Sequence, residues 1–152
     1  AVRVMLHQFY PQVPHPYRFE LNKDMHIAAA HFIPARSAGK CANIHGHTYV
    51  INLTIAGDDL DNTGFLVNFK ALKDVVHKRF DHTLLNEDDQ FGSEEESSAD
   101  TFPTTEVVAR TIWQMVQSEL DKKQNKPRCV QVLVRETPTS YVVYRPKEGD
   151  FR

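Results

Sequence analysis

The most regular segment of the chain is Tyr17-Arg18-Phe19-Glu20-Leu21-Asn22-Lys23-Asp24-Met25-His26-Ile27-Ala28-Ala29-Ala30-His31. Apolar side chains occupy alternate positions from Phe19 to Ala29, with Lys23 as the exception, and mostly polar side chains lie between them. Because successive side chains of a strand point to opposite faces, this alternation predicts a half-buried β-strand. The apolar face of the predicted strand leads directly to His31.

A second strand is predicted from about Gly46 to Ile55, after a loop from Ile33 to about Ile44. Its apolar face carries the side chains Tyr49, Ile51, Leu53 and Ile55. Counting back in steps of two places His45 and His47 on that same face. Both predicted strands therefore carry histidine on the face that points to the core.

The rest of the chain predicts two helices and then two further strands. Helical spacing of apolar residues indicates a first helix from about Phe69 to Arg79 and a second beginning after Pro103, with Thr104 or Thr105 as its N-cap. Val130, Val132 and Val134 alternate in a third strand, and a tight turn leads to a fourth at 141–144. The order ββααββ predicts an α+β domain, an antiparallel sheet with two helices on one face.

Length and charge exclude several classes of protein. The 152 residues suit one domain, which we place at residues 17–152, after a proline-containing extended arm at 1–16. The formal charge, 18 − 20 = −2, argues against a nucleic-acid or membrane-surface binder. With two cysteines, no apolar run of membrane length and no signal peptide, we expect a cytoplasmic protein in a reducing compartment.

Three histidines form a candidate metal site. His45 and His47 share one face of a strand, and His31 ends the strand predicted to pair with it. Three neutral imidazoles suit zinc and leave a fourth position for water or substrate. The competing interpretation is a pair of ordinary polar residues at the start of a strand.

Cys41 lies four positions before His45, and three interpretations remain open for it. It could be a fourth zinc ligand that closes a structural site. It could be a small buried apolar residue, as free cysteines commonly are. It could also be a reactive thiolate close to a cation.

Two acidic positions complete the candidate chemistry. Asp81 precedes His82, a pairing that suits general acid–base catalysis but also an ordinary surface turn. Glu136 continues the apolar face of the third strand, where an unpaired charge is costly. Either Arg135 or another cation pairs with it, or the end of the sheet opens into a polar pocket. Such a carboxylate can accept two parallel N–H bonds from a guanidine-like heterocycle edge.

Five motifs occur in the order found in the 6-pyruvoyltetrahydropterin synthase family, which the chain resembles from about Phe19 to Tyr144. They are Ala29-Ala30-His31, Cys41-x3-His45-Gly46-His47, Asp81-His82-x2-Leu85-Asn86, Pro103-Thr104-Thr105-Glu106 and Val134-Arg135-Glu136-Thr137. The three-residue spacer after Cys41 resembles the bacterial branch, which serves queuosine biosynthesis. Asn68 departs from the aspartate more common there, but asparagine also caps helices.

The resemblance implies a tunnelling fold whose sheets join across subunits into a barrel, in homohexamers built from two trimers with active sites at subunit interfaces. It implies a zinc-dependent carbon–oxygen lyase that converts 7,8-dihydroneopterin triphosphate to 6-carboxy-5,6,7,8-tetrahydropterin, acetaldehyde and triphosphate. By motif match His31, His45 and His47 hold zinc, Cys41 is the base, and Asp81 with His82 forms a proton relay. Glu136 anchors the pterin, with Thr104, Thr105 and Glu106 nearby.

Two alternatives stay open. One is 6-pyruvoyltetrahydropterin synthase activity on the same pterin triphosphate. The other is a zinc-stabilised binding module without catalysis, which requires Cys41 to close the metal site as a fourth ligand.

Overall fold

The computed structural model describes residues 10–152, and its secondary structure follows the predicted order with one added strand. The strands are β1 Phe19–His31, β2 His45–Gly57, β3 Thr83–Leu84, β4 Arg128–Thr137 and β5 Ser140–Tyr144. The helices are α1 Phe69–Val75, α2 His77–Phe80 and α3 Thr105–Leu120. Short 3-10 segments cover Arg36–Ala42, Leu85–Glu87, Ala99–Thr101 and Glu148–Asp150.

The sheet has five strands in the order β3-β1-β2-β4-β5. β1, β2, β4 and β5 pair antiparallel, as predicted. The additional β3 runs parallel to β1 and pairs only with Ala29 and Ala30. Residues 83–84 are too few to show an alternating pattern, so sequence periodicity cannot reveal this strand.

The core lies between one face of the sheet and the helices. Ile51, Leu53 and Ile55 of β2 are almost fully buried there, and Ile112 and Val116 of α3 pack in the same cluster. Burial on this face is what the alternation in β1 and β2 predicted. The α+β architecture is therefore confirmed within residues 10–152.

The opposite face of the sheet is polar and linked by hydrogen bonds. Asn52 donates to Asp24 at 2.9 Å, and Thr54 donates to Asn22 at 2.9 Å. The predicted arm contributes here, because Gln131 donates to the carbonyl of Pro11 at 2.9 Å. Residues 10–16 form neither helix nor strand, while residues 1–9 of the predicted arm lie outside the described part. The division into arm and domain stays a prediction.

The helices differ in detail from the predicted ones. The first is broken at Val76, whose φ of −112° and ψ of −65° separate α1 from α2. β-Branched residues lower helix propensity only slightly, and α3 continues through Val107 and Val108, so residue type does not account for the break at Val76. Asn68 caps α1 by accepting from the backbone of Lys70 at 2.8 Å, as predicted. No helix among residues 10–152 has the length and hydropathy needed to span a bilayer.

A bulge in β4 corrects the predicted face of that strand. The register shifts between Thr54 and Ile55, so Ile55 lies opposite Cys129 and the extra residue is Val130. Cys129 is consequently in the core cluster, whereas Val130 is only partly buried. Val132 and Val134 beyond the bulge keep the predicted core-facing positions.

Candidate metal centre and active site

Strand pairing brings the three candidate histidines together. His31 lies opposite His45, and Ala29 lies opposite His47, so all three side chains share the core-facing side of β1 and β2. The ring centroid of His31 is 4.4 Å from that of His45 and 5.2 Å from that of His47. The antiparallel register therefore assembles the cluster that the sequence pattern predicted.

Backbone carbonyls orient two of the rings. His31 Nδ1 donates to the carbonyl of Pro103 at 2.6 Å, and His45 Nδ1 donates to the carbonyl of Asn43 at 2.7 Å. The Tyr49 hydroxyl lies 3.2 Å from the same His31 nitrogen. Donation from Nδ1 leaves the lone pair on Nε2, which is how metal-binding histidines are commonly held.

The nitrogens that face the centre of the cluster have no hydrogen-bond partner. His31 Nε2 and His47 Nε2 are both buried without one. Burial also lowers the pKa of His31, which favours the neutral ring that a metal requires. Unpaired buried nitrogens are costly, and a divalent cation between them would satisfy both. The residues present thus fit a metal ion.

Glu136 adds a carboxylate to this cluster. Its Oε1 lies 2.9 Å from His47 Nε2 and 3.3 Å from His31 Nε2, and Thr105 donates to its Oε2 at 2.7 Å. Donor atoms of His31, His45, His47 and Glu136 all lie within 4.8 Å of one another. Arg135 does not pair with Glu136; its guanidinium lies over the ring of Tyr141, 4.8 Å from the centroid. The sheet end therefore opens into a polar site, one of the two outcomes the sequence left open.

A second register shift in β4, between Arg135 and Thr137, affects the position of the Glu136 carboxylate. Where β4 pairs with β5, Arg135 lies opposite Tyr141 and Thr137 lies opposite Ser140. Glu136 therefore has no partner residue on β5 and is an extra residue in β4. Bulges of this kind redirect a side chain.

Cys41 lies in the 3-10 segment between β1 and β2 and is exposed. Its carbonyl accepts from the backbone of Ile33 at 2.7 Å, which holds the segment against the end of β1. Among residues 10–152 the group of potential metal ligands contains Glu136 rather than Cys41. Exposure rules out the buried apolar interpretation, and the donor set does not support Cys41 as the ligand of a closed zinc module.

Asp81 and His82 lie at the edge of the sheet beside β1. Asp81 Oδ1 accepts from the backbone of Ala28 at 2.9 Å, and its Oδ2 is 3.5 Å from both His82 Nε2 and His77 Nε2. The donation from Ala28, followed by the two imidazoles, lowers the pKa of Asp81. The predicted pair is therefore in contact, and His77 joins it.

The surroundings of His82 reach one member of the histidine cluster. The His82 side chain is 82% exposed and lines an open depression of about 470 Å³, whose lining also includes Ala28, Gly46 and His47. Among residues 10–152 no hydrogen bond or ion pair joins Asp81 or His82 to Cys41 or to the cluster.

The motif at the start of α3 has mixed roles. Thr104 is the N-cap and accepts from the backbone of Val107 at 3.2 Å, whereas Thr105 bonds Glu136. Glu106 lies exposed in the first turn, where a negative charge is favourable. The structure brings Thr105 to the cluster and shows no contact there for Glu106.

The sequence pattern did not assign a functional role to several residues that support the site. Tyr49 and the carbonyls of Asn43 and Pro103 hold the imidazoles, and Asn86 holds the end of β1 at Phe32. Tyr49 shares the parity of His47, a signal that could have found it. Carbonyls carry no sequence signal at all.

The family description "6-pyruvoyl tetrahydropterin synthase" matches residues 20–147, which is most of the chain. The chain belongs to this family. It is 63% identical over 145 residues to the 6-carboxy-5,6,7,8-tetrahydropterin synthase of Bacillus subtilis, a match that covers 95% of this chain and 97% of that protein. It is 34% identical over 113 residues to the 6-pyruvoyl tetrahydrobiopterin synthase of Drosophila melanogaster, covering 70% of this chain and 62% of that one.

Solved structures of family members share the fold. The 6-pyruvoyl tetrahydropterin synthase of Caenorhabditis elegans matches with a TM-score of 0.65 at 24% identity, covering 85% of this chain and 96% of that chain. The enzyme of the same name from Plasmodium vivax matches with a TM-score of 0.57 at 19% identity, covering 85% and 98%. At these identities the likeness establishes the α+β fold alone.

Proposed function

We propose that this protein is an enzyme of queuosine biosynthesis that converts 7,8-dihydroneopterin triphosphate to 6-carboxy-5,6,7,8-tetrahydropterin, releasing acetaldehyde and triphosphate. The observation that carries the proposal is the 63% identity to the Bacillus subtilis synthase over nearly the full length of both chains. The converging imidazoles of His31, His45 and His47 supply the metal centre that a carbon–oxygen lyase of this kind uses.

The three histidines would hold zinc through Nε2, because Nδ1 of His31 and of His45 is already engaged by a carbonyl. When bound, zinc supplies a Lewis acid that acidifies the C–H and hydroxyl protons of the substrate side chain. Three imidazoles would leave a fourth position on such an ion for the substrate oxygens. This end of the sheet carries the exposed Cys41, whose thiolate is the proposed base that takes the proton.

Glu136 is the proposed anchor of the pterin ring. Thr105 fixes its Oε2 at 2.7 Å, so the carboxylate is oriented before substrate arrives. A carboxylate can accept two N–H donors from the guanidine-like edge of a pterin. Thr104 and Glu106 at the start of α3 are assigned to the same region on motif match alone.

Asp81 and His82 are proposed to carry protons to and from the site, but from a neighbouring subunit. They lie at the sheet edge, where Asp81 accepts from Ala28, and among residues 10–152 no hydrogen bond or ion pair joins them to Cys41 or to the metal ligands. We infer that a second copy of the chain completes the site. This arrangement suits the barrel of sheets and the dimer of trimers that the family resemblance implies, in a cytoplasmic hexamer.

Incubation of purified, zinc-loaded protein with dihydroneopterin triphosphate tests the proposal. Mass spectrometry should find 6-carboxytetrahydropterin and acetaldehyde in equal amounts. Formation of 6-pyruvoyltetrahydropterin alone would assign the activity named for the Drosophila relative. Absence of turnover with zinc bound would reject both and leave a metal-stabilised module. Light scattering on the same sample should give the mass of six chains.

A further inference from the structure

The turn that carries Asp81 and His82 is attached to the edge of β1 through the backbone of Ala28. Asp81 Oδ1 accepts from the Ala28 N–H at 2.9 Å, and the N–H of His82 donates to the Ala28 carbonyl at 2.6 Å. His82 has a φ of 59°, in the left-handed region that is uncommon for residues other than glycine. Both backbone groups of Ala28 thus hold the turn, and Oδ2 is the oxygen of Asp81 that remains for the imidazoles.

Two imidazoles share this second oxygen. Asp81 Oδ2 lies 3.5 Å from His82 Nε2 and 3.5 Å from His77 Nε2. The sequence motif contains Asp81 and His82 alone, so His77 is an additional member of the group. Both distances are longer than a typical hydrogen bond, as is common for catalytic contacts before substrate binds.

The helix α2 places His77 next to Asp81. It is a single turn in which His77 is the first residue and Asp81 the C-cap, and the Asp81 N–H donates to the His77 carbonyl at 2.9 Å. Residues four apart on a helix share a face, so the His77 ring reaches the carboxylate. The side chain of His77 is 41% exposed, against 82% for His82. The more exposed ring of His82 can meet a substrate, whereas His77 is better placed to hold the carboxylate.

The charges of the group agree with this division. The N–H of Ala28 lowers the pKa of Asp81 most, and the charges of His82 and then of His77 lower it further. Both imidazoles therefore favour the ionised form of the carboxylate that they share.

We propose that His77 is a positioning residue of the proton relay, which holds Asp81 Oδ2 in the direction of His82. The inference rests on the proposed function, because only a relay that moves protons needs this carboxylate oriented. His77 itself forms and breaks no bond in the reaction. Its contribution is to keep the relay aligned, and alignment affects kcat rather than the binding of substrate.

Steady-state kinetics in two backgrounds tests the proposal. His77→Ala should lower kcat by about 2- to 10-fold, the equivalent of one net hydrogen bond, and leave KM unchanged. Asp81→Asn retains an oxygen for Ala28 but replaces the second oxygen with an amide nitrogen. In the Asp81→Asn background His77→Ala should therefore have no further effect, since residues that act through one another are not additive.

Two further variants separate positioning from a general loss of structure. Glutamine offers an N–H donor at a similar reach, so His77→Gln should keep kcat within about twofold of the wild type. Lys78→Ala, at an exposed position on the same turn, is the matched control and should leave kcat unchanged. An equal fall in kcat in both backgrounds, or an unchanged kcat in His77→Ala, would overturn the proposal.

Carbon-13 NMR of the Asp81 carboxyl tests the contact without any activity assay. The signal that is missing from Asp81→Asn identifies this carboxyl. His77→Ala should raise the pKa of Asp81, because a charge that favours the ionised form is removed. An unchanged pKa would contradict the proposal. If the wild type makes no product while His77→Ala raises this pKa, the proposed reaction fails and the hold of His77 on Asp81 stands.

Discussion

Asn86 binds both backbone groups of Phe32, the residue that follows β1. The Phe32 N–H donates to Asn86 Oδ1 at 2.9 Å, and Asn86 Nδ2 donates to the Phe32 carbonyl at 2.9 Å. The same Nδ2 also donates to the carbonyl of Gly92 at 2.8 Å. One side chain therefore fixes the end of the strand that carries His31.

Asn86→Ala should lower the free energy of unfolding by about 3 kcal/mol, because three hydrogen bonds of a buried amide are lost at about 1 kcal/mol each. Urea denaturation checks this value. Asn62→Ala, at an exposed loop position, is the control and should leave the midpoint unchanged. A loss below about 1 kcal/mol for Asn86→Ala would show that water replaces the amide.

Zinc should stabilise the protein measurably, since His31 Nε2 and His47 Nε2 are buried without a hydrogen bond. At free zinc 100 times the dissociation constant, the gain is about 2.7 kcal/mol, or about 5–10 °C in Tm. Differential scanning calorimetry with zinc and with a chelator measures it. His47→Ala should abolish most of the shift; retention of the full shift would place the metal elsewhere.

Cys41→Ala should retain zinc and lose activity. Removal of a general base lowers kcat by about 100- to 10,000-fold. Zinc content by atomic absorption and product formation by mass spectrometry separate the two effects. Loss of zinc together with a lower Tm would instead make Cys41 a ligand, against the donor set in the structure.

Thr104→Ala should destabilise the protein by about 1 kcal/mol, because Thr104 is the N-cap of α3 and accepts from Val107. Thr104→Ser retains the hydroxyl and should restore most of the stability. Thermal denaturation of both variants is the measurement. A change in substrate KM with unchanged stability would instead support the substrate contact inferred from the motif.

The low pKa of Asp81 predicts a stability that falls in acid. The Ala28 N–H and the nearby imidazoles favour the ionised carboxylate, so the folded pKa lies below the unfolded value of about 3.9. Its contribution is complete above that unfolded value and is lost as the pH falls through it towards the folded pKa.

Asp81→Asn can still accept from Ala28 through its amide oxygen but does not titrate. Urea unfolding between about pH 5 and 3 should therefore show a shallower decline for Asp81→Asn than for the wild type. Asp74→Asn, an exposed carboxyl on α1, should follow the wild type. Parallel curves for Asp81→Asn and wild type would mean that Asp81 does not contribute.

Alternation in β1 and β2 was sufficient to predict their pairing and the meeting of His31, His45 and His47, because side-chain parity is a local property and consecutive strands commonly pair. Hydrophobic alternation did not predict the positions where a strand or helix is irregular. Val130 is the bulged residue of β4, and the predicted first helix is interrupted at Val76. Valine is common in both strands and helices, so a single sequence does not predict either irregularity.

The same limit applies within the site. The parity of Glu136 placed it on the correct face, but its distance to His47 depends on the register shift beside Arg135. Among residues 10–152 no hydrogen bond or ion pair joins Asp81 or His82 to Cys41, and no sequence motif indicates this.

The extra residue at Glu136 also bears on how such a chain can evolve. Deleting one residue between Arg135 and Thr137 would repair the β4–β5 ladder and give a more regular hairpin. The repaired strand would lose the carboxylate that faces His31 and His47. A relative with a gap at the Glu136 position in a sequence alignment would therefore be expected to keep the fold and to lack the carboxylate that its active site needs.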